Sequence, residues 1–330
     1  MQKALVDANQ CEKIGKTVAS LDFKESFLKR AFLTLEISDE LKTAMYYYAV
    51  GICHQTYHLA NPELNLYGWD FLEFGFIGIA KQRPELLDAE YLVQLTPAEL
   101  AVEIRPFFAP QNIAKNCTLD HLQERTQLWL QMAERIKDSG LSHLEYILRS
   151  DGQTTYFYRE LRQTEAYSDP LQKKTSFFMK LLEDAKLIKF AKDENVIPIM
   201  DYHMQRVIFR TGCVEVLDDE LKSALQNRLA IQDQDELELR EACIEAMKLI
   251  SQYSGYSVFK MNDVFYTMGR SCCNENMICQ TGKCEKSPCT LSLAIVLDQH
   301  KQCIFEASCR GKNDRDYRKY WQPQVITHYY

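Results

Sequence analysis

Glycine and proline are scarce in this chain, at 12 and 9 of 330 residues, roughly half of ordinary usage. β-Sandwiches, barrels and glycine-rich α/β nucleotide folds need more of both, so long helices are expected instead. Long apolar runs are missing as well. The longest, residues 291–297, is strand-sized and far short of the ~18 residues a membrane helix requires. The first residues, MQKALVD, lack the apolar core of a signal peptide, and a cytoplasmic location is expected. Positive charge is not in excess. A formal net charge of −7 argues against non-specific coating of nucleic acid, while local basic patches stay open. What is present is a composition of 46% hydrophobic and 26% charged residues, that of a soluble globular protein with a sizeable core in one large domain or two.

Helix signals recur along the chain. Residues 12–35 alternate charge with Leu and Phe at helical spacing, and Ser38, Asp39 and Glu40 start a helix expected to run to about residue 60. Thr96, Pro97 and Glu99 form a capping-box start. Asp169 and Pro170 repeat that logic ahead of a face made by Leu171, Phe178, Leu181, Leu182 and Ala185. A further helix is expected from Asp201 to a left-handed stop at Gly212, another around Leu221, Leu225 and Leu229, and a long one from Asp233 to about Ile250. The tail reads differently. Residues 291–297 and 303–308 are β-prone segments around a polar turn, a predicted hairpin. The expected organisation is a helical body, residues 1–268, and a cysteine-rich appendage, residues 269–330, that packs back on it.

Cysteine is the exception to scarcity. Seven of the 12 fall within the 38 residues 272–309, where even scatter would place about 1.4. In a reducing compartment such clustering reads as metal ligation before disulfides. Cys272, Cys279, Cys284 and Cys289, separated by six, four and four residues, offer four thiolates to tetrahedral zinc or an iron–sulfur cluster; Cys273, Cys303 and Cys309 are alternates. The segment resembles the C-x6-C-x2-C-x5-C iron–sulfur loop of helix-hairpin-helix DNA glycosylases in its first gap and in its place after a helical body. That resemblance favours a 4Fe–4S cluster, with zinc as the alternative, in a structural role.

A second resemblance covers the body. The motifs DFLEFGF at 70–76, AEYLVQLT at 89–96, KKTSFFMK at 173–180, IMDYH at 199–203, ELELR at 236–240 and the final Tyr pair occur in an order similar to that of the queuosine salvage family. Members of that family are N-glycosidases that release queuine from queuosine 5′-monophosphate, on an all-helical fold related to helix-hairpin-helix DNA glycosylases. The resemblance implies a mainly α fold and release of a queuine-like, 7-deazapurine base from a nucleoside or nucleotide. It also departs from the family. The family lacks the cysteine insert, and His203 stands at its arginine, Ile199 at an aromatic, Gln205 and Arg206 at Pro-Gln, and Met268 at a second acid.

The resemblance places Asp201 at the family's catalytic aspartate, where a carboxylate stabilises the sugar cation formed as the C1′–N bond breaks. By spacing alone Asp201 is equally an ordinary helix cap. Asp70, Glu73 and Phe74, set among aromatics, are candidates to read and stack on a purine-like base, as are Tyr202, His203 and Asp263. The plainer readings are a core helix edge, a structural histidine and a capping acid. Lys173 and Lys180 are candidates for a 5′-phosphate, against a solvated helix face. In the tail, Lys301, Arg310, Lys312, Arg315, Arg318 and Lys319 interleave with Tyr317, Tyr320 and Trp321. This pattern suits a nucleic-acid backbone, so a non-enzymatic or polynucleotide-directed module is the competing expectation.

Overall fold

The computed structural model describes residues 2–190, 195–297 and 300–330. It is mainly helical, with two short antiparallel strand pairs, β1 (Ala4–Val6) with β4 (Val214–Val216) and β2 (Ala60–Asn61) with β3 (Leu66–Tyr67). Helices of eight or more residues are α1 (Ala8–Ala19), α2 (Asp39–Gly51), α3 (Trp69–Gln82), α4 (Pro97–Ile104), α5 (Leu122–Ser139), α6 (Thr154–Leu161), α7 (Lys173–Asp184), α8 (Tyr202–Thr211), α9 (Asp219–Asn227), α10 (Asp233–Ser254) and α11 (Val258–Arg270). No described helix is long and apolar enough to cross a membrane. The chain forms two compact units, residues 1–28 with 197–326 and residues 29–196 with 327–330, so residue 268 falls inside the first unit.

The start signals act as local chemistry dictates. Thr96 accepts from the Glu99 N–H while Glu99 returns a bond to the Thr96 N–H, a complete capping box. Asp169 accepts from the Leu171 and Lys173 N–H groups at 3.0 and 2.7 Å, but α7 begins only at Lys173, after Gln172 in the left-handed region, so Asp169 and Pro170 form a turn before the helix and not its expected cap and first turn. α8 runs from the Asp201 cap to Gly212 at φ +80°. α2 stops at Gly51, short of residue 60, and residues 20–24 break the first helical stretch.

In the first unit α1 lies along α10. Gly15 allows the approach: a Cβ there would sit 2.6 Å from Tyr253 Cβ and 3.0 Å from the Ile250 carbonyl oxygen. α8 packs on α11 and α10, closed by Val207, Ile208, Phe209, Val264, Phe265 and Met247, all fully buried. Gly269 does for α11 what Gly15 does for α1, since a Cβ would meet the His203 carbonyl oxygen at 2.6 Å.

The second unit is built on α2, whose Tyr46, Tyr47 and Tyr48 are all buried. The Tyr46 and Tyr48 hydroxyls find partners within the core, Tyr48 at 2.9 Å from His143 Nε2. Tyr46 donates to the Phe32 carbonyl at 2.9 Å, Tyr167 donates to the Tyr47 carbonyl at 2.7 Å, and Tyr48 stacks on Trp129. The C-terminus belongs here, with the Gln55 N–H donating to the Tyr330 carbonyl at 3.2 Å.

The expected hairpin does not form among the described residues. Residues 291–294 form a helical turn (Leu291–Ala294), Ile295 makes a single antiparallel bridge to Phe23, and residues 303–308 are turns. The turn positions 298 and 299 lie outside the described residues. The physical reason is that a short apolar run is buried equally well as a helical turn or a strand, and here Leu291 and Ala294 seal against α11.

Candidate metal centre

After α11 the backbone turns sharply. The Ser271 side chain bonds back to the Thr267 carbonyl at 2.8 Å, and Thr290 Oγ1 donates to the same carbonyl at 2.7 Å. These bonds fix the two ends of the cysteine loop against one helix terminus, where Cys272 and Cys289 face each other with sulfurs 3.4 Å apart. Cys284 and His300 complete the group: one ligand atom from each of Cys272, Cys284, Cys289 and His300 lies within 4.8 Å of the others. His300 Nε2 is 3.2 Å from Cys272 Sγ. This group is able to bind a metal ion.

Electrostatics agree with the crowding. The Cys272 thiol, donating to Cys289, is pushed far up by that bond and by burial, while Cys289 as acceptor is held down at about 4. Burial raises Cys284. A metal cation would displace the proton shared by Cys272 and Cys289 and that of Cys284, and hold all three sulfurs as thiolates.

The expected ligands Cys272, Cys284 and Cys289 thus come together, with His300 as the fourth donor. Cys279 instead stands in the short helix Ile278–Thr281 and lines a hollow with Cys273, Cys303 and Cys309. His300 escaped the sequence reading because it lies 11 residues beyond Cys289 with no ligand beside it. A lone histidine following a cysteine-rich run was the available signal.

Two arginines of α8 also went unread. Arg206 and Arg210, almost wholly buried, both donate to the Cys273 carbonyl, at 3.1 and 2.8 Å. Arg206 further reaches the Gly269 carbonyl at 2.6 Å, Asn274 Oδ1 at 3.0 Å and Gln322; Arg210 reaches the Tyr320 carbonyl at 2.8 Å and the Asn274 carbonyl at 3.0 Å. Trp321 lies under both guanidinium groups and under Arg228, with centroid distances of 4.3, 5.4 and 3.9 Å. These contacts tie the cysteine segment and the tail to α8.

The other predicted positions fall as follows. Asp201 is 7% exposed and caps α8, with Oδ1 accepting from the Met204 N–H at 2.9 Å. Tyr202 and His203 follow it with ring centroids 4.2 Å apart, and His203 Nδ1 lies 3.2 Å from Arg206. Asp263, on α11, is 1% exposed and 3.3 Å from Lys260 Nζ.

Asp70, Glu73, Phe74, Lys173 and Lys180 belong to the other unit. Glu73 accepts from Trp69 Nε1 at 2.6 Å and pairs with Arg30; Phe74 is exposed. Lys173 and Lys180 are buried rather than on a solvated face, with Lys173 Nζ 3.4 Å from Cys53 Sγ and Lys180 Nζ 2.7 Å from Asp184.

The basic tail is largely paired internally: Arg310 with Asp7, Lys312 with Glu306, Lys319 with Asp316, and Arg318 with the Gly311 and Lys312 carbonyls. In comparisons with known proteins, no family model and no curated sequence matches the chain.

Proposed function

We propose that this protein is an N-glycoside hydrolase that releases a queuine-like, 7-deazapurine base from a nucleoside or nucleotide, and that a zinc ion fastens its C-terminal segment. The observation that carries the enzymatic reading is Asp201: a carboxylate withdrawn from solvent at a helix N-terminus, with one oxygen fixed by the Met204 N–H. The helix end favours its anion. Such a group, placed against C1′, stabilises the positive charge that develops as the C1′–N bond breaks. Water then supplies hydroxyl to C1′ and its proton to the departing base. The Tyr202–His203 ring pair beside it offers aromatic faces for the base, and Asp263 a second buried acid.

Asparagine caps a helix about as well as aspartate. Asp201→Asn therefore removes the charge and keeps the fold. Incubated with queuosine 5′-monophosphate and related 7-deazapurine nucleosides, the wild type should release free base, measured chromatographically, and Asp201→Asn should be slower by roughly 10²–10³-fold or more. A wild type inactive across the panel refutes the reading.

Donor chemistry and spacing support zinc. Zinc–thiolate bonds of ~2.3 Å at the tetrahedral angle put sulfurs about 3.8 Å apart. The 3.4 Å between Cys272 and Cys289, and the 3.2 Å to His300, require only a slight opening. A Cys3His set is a closed structural zinc set. Elemental analysis should find zinc that His300→Ala or Cys284→Ser removes.

A further inference from the structure

Four cysteines remain outside the Cys3His group yet share one place. Cys273 follows α11, Cys279 sits in the Ile278–Thr281 turn, and Cys303 and Cys309 flank the turns before residue 310. Three separated stretches of chain thus line a single small hollow together with Met268, Met277 and Cys272 of the Cys3His group. None of the four is in a disulfide.

The geometry points to a second, separate metal centre, in which Cys273, Cys279, Cys303 and Cys309 hold a 4Fe–4S cluster beside the Cys3His site. Spacing distinguishes the two sets. The Cys3His donors lie within 4.8 Å of one another, as a single ion requires, whereas among the described residues the second quartet supplies no such tight group. Four cysteines that line one hollow without forming a tight single-ion group suit a cluster core, whose thiolates attach to four different irons.

The wall suits it as well. Methionine side chains keep the hollow apolar, and the ligands come with positive charge to meet an anionic cluster. Arg210 and Arg318 border the hollow, Arg210 Nη1 lies 3.6 Å from Cys273 Sγ, and Lys312 Nζ donates to the Cys279 carbonyl at 3.3 Å. Cys309 Sγ, now bonded to the Arg210 carbonyl at 3.3 Å, is part of the same arrangement. Binding displaces four thiol protons; two ferrous and two ferric irons with four sulfides carry less positive charge than the four thiolates carry negative, so the centre is a dianion that the arginines face. The neighbouring residues Cys272 and Cys273 thereby serve different centres, and the whole cysteine segment is fixed at two points. This inference is independent of the glycosidase reading and of which ion fills the Cys3His site.

The test uses the full chain, purified without oxygen and reconstituted with equal amounts of ferrous and ferric iron and with sulfide. About four irons and four sulfides per chain are expected, with broad absorption near ~400 nm and all-sulfur coordination at the iron edge. Cys303→Ser and Cys309→Ser should lose most of the iron and that absorption while retaining zinc. His300→Ala and Cys284→Ser should show the reverse. Wild-type protein that takes up no iron, that binds zinc at both centres, or that forms disulfides among the quartet overturns the proposal. So does a chromophore lost with Cys284 and kept without Cys303. The wild-type iron spectrum decides the matter even if a variant fails to fold.

Discussion

Arg206 and Arg210 allow the attachment of the cysteine segment to be measured. Both donate to the Cys273 carbonyl, and both stand over Trp321. Arg206 is also held down at about 10 by burial and by the neighbouring charge of Arg210. Replacing Arg206 with methionine keeps much of the side-chain volume and removes its bonds to Gly269, Asn274 and Gln322. Asn274 is half-buried and regains water, but the Gly269 carbonyl and the Gln322 side chain are left in the interior. Unsatisfied groups of this kind cost about 1–3 kcal/mol each. Relief from burying one cation next to another returns part of that, so the net loss should be about 3 kcal/mol. Arg210→Met should cost a similar amount through Tyr320 and Asn274.

The double variant is the sharper measurement. In either single variant the Cys273 carbonyl keeps one guanidinium; in the double it keeps neither. The mutual repulsion of the two cations can also be relieved only once. Both effects have the same sign, so the double variant should be about 1–2 kcal/mol less stable than the sum of the singles. Urea denaturation followed by circular dichroism and fluorescence, at fixed metal loading and with unchanged m-values, measures this. Additivity within about 0.5 kcal/mol would refute the shared-carbonyl account.

Other expectations concern charge. Burial pushes Lys174 down to about 7, with its Nζ donating to the Gly51 carbonyl at 2.5 Å. Between about pH 7 and 10 the unfolded chain holds a proton that the folded chain lacks, so this group makes stability rise with pH. Lys174→Met should be more stable than wild type near pH 7, with an advantage that shrinks as the pH is raised; parallel stability curves would contradict it. Burial alone would raise Glu40, yet the His143 ring and the His143 and Leu144 N–H groups outweigh it and hold the carboxyl at about 2. That contribution is present above the ordinary carboxyl range and lost as pH falls towards 2. The side chain is 40% exposed, so Glu40→Gln should cost only about 1 kcal/mol at neutral pH, with the gap closing in acid. At the Cys3His group protons compete with the metal for thiolate and imidazole, so zinc affinity should fall as pH falls, read by a chromophoric chelator.

The sequence was legible wherever one residue acts on its immediate neighbours. The Thr96–Glu99 box, the Asp201 cap and the Gly212 stop form as their spacing predicts, because capping is local hydrogen bonding, whereas the helix expected at Asp169 starts only at Lys173. It was less legible where burial decides. Nothing local distinguishes Leu291–Ala294 as a helical turn from a strand, and nothing local places Lys173, Lys174 and Lys180 inside a core.

Scarce glycine and proline determined a helical chain, and clustered cysteines determined where a group able to bind a metal would lie. Only the tertiary structure sorted the thiols. Cys272 and Cys273 are adjacent in sequence, yet only Cys272 joins Cys284, Cys289 and His300, while both line the hollow with Cys303 and Cys309. Ligand sets are chosen by where side chains converge in space. That convergence is set by α11, by the two arginines of α8 and by the return of the tail, contacts between residues tens of positions apart that no spacing rule contains.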